Sequence, residues 1–115
     1  MKNHPETIER VMREIADMNV IIRRKRETLD SIEAATQLAI STEKGEDGKL
    51  LFSNETARKS VFLQRISGNP AHLQMSEKLE ELEKERLYKL AHVERLKMEF
   101  KLYLLDREEE INRLR

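Results

Sequence analysis

Three histidines, two clusters of carboxylates and one run of cations are the residues of this chain best equipped for chemistry, and their spacing limits what they can do. His4, His72 and His92 lie far apart, none has a second histidine four residues away, and cysteine is absent. A zinc site needs nitrogen or sulfur ligands converging on one point, so no metal is expected. Glu80, Glu81, Glu83 and Glu85, and Asp106 with Glu108 to Glu110, are numerous enough for acid/base work. That work needs a carboxyl in a dry pocket, and these residues alternate with Lys and Arg in the manner of solvated helix faces. There is no Gly-rich phosphate loop and no nucleophile elbow. The chain is expected to be no enzyme and to carry no cofactor.

The cations are Arg23-Arg24-Lys25-Arg26. If the chain folds as an antiparallel hairpin, Arg86 and Lys89 fall near them, so Arg23, Arg24, Arg26, Arg86 and Lys89 form a candidate patch for an anionic partner. The other reading is a solvated face whose long stems lie along the helix toward Glu27, Glu83 or Glu85, and it is the one we favour. Lys plus Arg equals Asp plus Glu at 22 each, which leaves no overall field to hold duplex DNA by counterion release. Lys25 falls on an apolar seam, where a charge costs stability but fixes register.

The elements that must position these residues are helical. The apolar and charged fractions are both 38%, with three Gly and two Pro, a balance that suits long helices burying a stripe better than a thick core. Pro5 fits a first helical turn, with Asn3 or His4 as the cap. Ile8, Val11, Ile15, Met18, Ile22, Leu29, Ile32 and Ala39 then repeat in alternating steps of three and four, interrupted by Lys25 and Thr36. This heptad seam predicts a helix over about 5–42, roughly 55 Å long, which must lie against another. Gly45 and Asp47-Gly48 predict a turn, followed by an extended piece at Lys49 to Phe52. Ser53 or Asn54 caps a short helix with Ala57, Val61, Phe62 and Ile66 on one face. It ends at Gly68, so that 43–68 is connector plus short helix. Asn69 and Pro70 open a third helix over about 70–113. The predicted fold is all-α, a single domain over 1–115: a long antiparallel helical hairpin with a short helix in the connector.

Twelve of the nineteen residues from Leu87 to Leu105 are apolar, more than one seam absorbs. Val93, Leu96, Phe100 and Tyr103 continue one phase. Leu87, Met98, Leu102 and Leu105 lie on a second face and are predicted to form an oligomer interface, most simply a dimer. Leu50, Phe52, Arg58 and Lys59 make a candidate recognition tip. The alternative, that the loop's apolar residues pack on the short helix, is the one we favour.

The segments Gly48 to Lys59 (GKLLFSNETARK), Asn69 to Met75 (NPAHLQM) and His92 to Leu102 (HVERLKMEFKL) resemble small coiled-coil proteins of bacteriophages and mobile elements. In that group a similar G-K...N-E...R-K segment opens a short helix, and a long helix follows an Asp-Pro or Asn-Pro start. The resemblance implies a mobile-element origin and no activity that transfers residue by residue.

These features predict a helical interaction protein that binds a partner protein, with inhibition of a host nuclease or defence complex as one such role. The alternatives are an accessory nucleic-acid binder in recombination or repair and a structural spacer in a larger assembly. The charged N-terminus has no apolar signal region and no segment reaches the ~20 apolar residues a membrane span needs, so the expected location is cytoplasmic, away from membranes.

Overall fold

The computed structural model describes residues 3–114, and it is an all-α helical hairpin. Its elements are α1 (His4–Thr42), α2 (Glu55–Ser67) and α3 (Pro70–Leu114), each within about a residue of the sequence expectation. The caps explain the agreement. Asn3 gives its carbonyl to Thr7 N at 2.9 Å and so opens α1. Asn54 Oδ1 accepts from Ala57 N at 2.6 Å, and Asn69 Oδ1 from His72 N at 3.1 Å, each satisfying a first-turn donor that has no helical partner. Gly68 closes α2 with ordinary negative φ, its N–H donating to the Gln64 carbonyl at 3.1 Å, so no left-handed cap is involved.

The connector is a tight reversal. Lys44 and Leu50 form an isolated antiparallel bridge, Gly45 N donates to Lys49 O at 2.9 Å, and Leu51 N donates to Glu43 O at 2.8 Å. At its tip Asp47 Oδ1 accepts from Lys49 N, and Gly48 takes a φ of +76°, a conformation in which a side chain would strain the backbone. The extended piece expected after Gly48 is thus one arm of a miniature hairpin.

The chain forms two compact units. One joins α1 as far as Ile21 to α3 from Leu82 onward, and the other runs from Ile22 to Glu81. In the first, Val11, Ile15 and Val93 form a buried cluster against which Ile8 packs, and Met18 and Leu96 are buried too. Three contacts fix the antiparallel register: His4 with Glu99, Glu14 with Lys89, and Asn19 with Arg86. Phe100 continues the seam toward His4, whose ring stacks on it at 6.5 Å, and Tyr103 follows at 6.4 Å.

In the second unit Ile22 and Ile40 are buried, and His72 donates to Glu33 at 3.0 Å. Here the seam expectation needs a correction at its end: Ile40 is buried at 2% exposure, whereas Ala39 is exposed. A strict heptad has 3.5 residues per turn and a straight helix has 3.6, so after several turns the inward position drifts and a step of four replaces a step of three. On α2, Ala57, Val61, Phe62 and Ile66 are all half-buried, and none of its residues is buried.

Candidate functional site

The heptad on α3 determines which side chains are free to meet a partner. Leu82, Arg86, Lys89, Val93, Leu96, Phe100 and Tyr103 alternate by three and four, and all are at least half-buried. The face turned away from this seam carries Leu87, Met98, Leu102 and Leu105, with exposures of 62%, 60%, 54% and 50%, against 2% for Val93 and 8% for Leu96. One helix thus presents two apolar faces, and α1 covers one of them. The four residues predicted as an oligomer interface lie together on the open face. Past Tyr103, every α3 residue through Leu114 is exposed, including Leu104, Ile111 and Leu114.

Arg86 and Lys89 differ from the sequence expectation, because both hold seam phases. Lys89 Nζ donates to Glu14 Oε2 at 2.7 Å, and Arg86 Nη1 donates to Asn19 Oδ1 at 3.0 Å. Arg86 Nε is buried without a hydrogen-bond partner, a cost of the kind an apolar residue would avoid. The two cations fill a polar interruption in the seam and are committed to α1. In the other unit Arg23, Arg24 and Arg26 are exposed. Arg23 Nε lies 4.0 Å from Glu27 Oε1, at the outer limit of an ion pair, and Arg26 is also engaged.

The tip residues divide. Leu50 and Leu51 are about half exposed, whereas Phe52 is half-buried with the Arg65 guanidinium 5.7 Å from its ring centre, and Arg65 also reaches Glu43 at 2.6 Å. Arg58 Nη1 makes long contacts, 3.4 and 3.3 Å, with the carbonyls of Phe52 and Ser53. Lys59 pairs with Glu55 at 3.5 Å. Between the end of α1 and α2 lies an open groove of about 470 Å³, with Ala34, Leu38, Ile40 and Phe62 in its walls and Arg58 and Lys59 beside them.

Two carboxylates have shifted acidities. Glu14 sits below the ordinary glutamate range because Lys89 donates a hydrogen bond to it and adds its charge. Glu99 is lowered chiefly by the hydrogen bond from His4. In each of the contacts His4–Glu99 and His72–Glu33 the histidine Nε2–H donates and the carboxylate oxygen accepts. These histidine clasps escaped sequence reading. The available signal was a histidine in the first turn of each long helix, with a glutamate at the facing register position. Among the described residues no group of three or more His, Asp or Glu is placed to hold a metal ion, and no helix is long and apolar enough to cross a membrane.

No family model, curated protein or solved structure matches this chain.

Proposed function

We propose that this protein is a non-enzymatic helical interaction protein, which self-associates through the open face of α3 and works by binding a partner protein. The observation that carries the reading is the placement of Leu87, Met98, Leu102 and Leu105 on one side of a helix whose other side is already buried. Burying a large apolar side chain contributes ~1.5 to 3 kcal/mol, and soluble monomers seldom leave a contiguous patch of this kind in water. A two-fold dimer in which these residues meet their own copies is the simplest closed arrangement. The resemblance to phage and mobile-element coiled-coil proteins supports a mobile-element setting, in which occupying the surface of a host nuclease or defence complex is one such role.

The nucleic-acid reading has less support, since Arg86 and Lys89 are engaged with α1 and the remaining cations sit among balancing carboxylates. The test is light scattering at tens of micromolar. The unmodified chain should have the mass of a dimer, and Leu102→Glu with Leu105→Glu should halve it while the helical circular-dichroism signal persists. A single-chain mass for the unmodified protein would refute the self-association.

A further inference from the structure

The last three turns of α3 and the groove beside α2 are two unpartnered apolar features with opposite charge around them. Leu104, Ile111 and Leu114 share the helical side that carries the seam, so they extend it beyond the last half-buried residue, Tyr103. Arg107 falls within this stripe, Glu108 and Glu110 border it on either side, and Asp106, Glu109 and Arg113 lie further round the helix, where Arg113 is paired with Glu109 at 3.0 Å. The segment is an acidic amphipathic helix end.

The groove is its counterpart. Leu38, 64% exposed, and Phe62 give it apolar walls, and Arg58 and Lys59 stand beside them. Among the described residues Arg58 makes two long carbonyl contacts and no ion pair, so its charge is incompletely used. Glu55, the one acidic lining residue, is paired with Lys59 at 3.5 Å. The lining residues cover two turns on each helix, about 10 Å, which is also the spacing from Leu104 to Ile111. Two such helix ends packed on each other would set the Glu108 to Glu110 clusters of both copies together, a like-charge contact that the groove avoids.

We infer that the groove between α1 and α2 receives the α3 end of a second copy of this chain, with Leu104 and Ile111 seated against Leu38 and Phe62 and the glutamates facing Arg58 and Lys59. This is helix-in-groove recognition. The end and the groove are different surfaces, so the contact either repeats from copy to copy or closes as a reciprocal pair, and in both cases the mass exceeds one chain and rises with concentration. It uses residues other than the open face of α3 and stands or falls independently of that dimer.

The experiment uses the full chain carrying Leu87→Glu and Met98→Glu, which disables the open face. Light scattering from 10 to about 300 µM should show a mass near that of one chain at tens of micromolar, rising above it toward the upper end of the range. Adding Arg58→Glu and Lys59→Glu should return the mass to one chain, and further adding Glu108→Lys and Glu110→Lys should restore the growth. If the groove reversal disturbs folding by circular dichroism, Leu38→Glu replaces it, since that side chain is mostly exposed, and should equally return the mass to one chain. A single-chain mass throughout overturns the inference, which includes the case of the helix end docking within its own chain. Association that survives the groove variants, or a charge swap that fails to restore it, overturns it too.

Discussion

The unit built from the start of α1 and the end of α3 and the unit that contains α2 use a similar apolar supply differently. In the first, two helices bury Val11, Ile15, Met18, Val93 and Leu96 along one seam and leave a second apolar face in water. In the second, three helices are present, yet only Ile22 and Ile40 are buried and α2 contributes half-buried residues alone. Burial follows register more than helix number. Where side chains repeat every three and four residues against a matching partner they become a core, and where the partner is short or set apart they line a groove.

The sharpest way to break this comparison is to cut a cavity in each unit. Ile15→Ala and Ile40→Ala should each cost about 2–5 kcal/mol, whereas Ile66→Ala on α2 should cost about 1 kcal/mol because that side chain is only half-buried. Thermal melts of the three variants rank them. Equal losses at Ile66 and Ile15 would mean that α2 is as much a part of the core as the seam.

A smaller effect is expected at the turn. Gly48→Ala meets no neighbouring atom within 4 Å, so its penalty is that of the positive φ alone, about 1–2 kcal/mol. The connector should also be the first site of limited proteolysis, because Asp47-Gly48 is exposed and lies outside every helix. First cleavage between residues 79 and 100 would contradict the hairpin.

Acidity probes the first unit through its register contacts. The carboxyls of Glu14 and Glu99 are lowered in the folded state, so each contributes stability that is complete above the ordinary value of 4.5 and is lost as the pH falls through the lowered one. Melting temperatures of Glu14→Gln and the unmodified chain should differ at pH 6 and converge as the pH drops below that ordinary value. A difference that stays constant down to pH 3 would show that Lys89 does not hold Glu14 ionised.

The smallest change belongs to the basic run. Arg23, Arg24 and Arg26 are exposed, so replacing all three by Gln should alter stability by no more than ~0.5 kcal/mol each and leave the helical signal intact. Loss of that signal would make the run part of the fold.

The helices and their ends were legible because the seam residues and the caps are local signals: Asn54 and Asn69 cap whatever helix follows them, and Pro70 opens one. The second face at Leu87, Met98, Leu102 and Leu105 was legible for the same reason, since it is a phase count along one helix. What the sequence hid depends on facing partners. Arg86 and Lys89 read as free cations until Asn19 and Glu14 lie opposite them, and His4 and His72 gain a role only when the register brings Glu99 and Glu33 into reach. Ile40 replaced Ala39 because drift accumulates over a long helix and no single step reveals it.

The central claim is that the open face of α3 meets its own copy, and the absence of cysteine makes it directly measurable, since one introduced cysteine becomes the only thiol in the chain. Single variants Met98→Cys, Leu102→Cys and Leu105→Cys, compared under mild oxidation with Met12→Cys on exposed α1 surface, report which surfaces come together. The account predicts rapid disulfide-linked dimers from at least one of the three α3 positions at low micromolar concentration, and only slow linkage at Met12. Equal, slow rates at all four positions would contradict it.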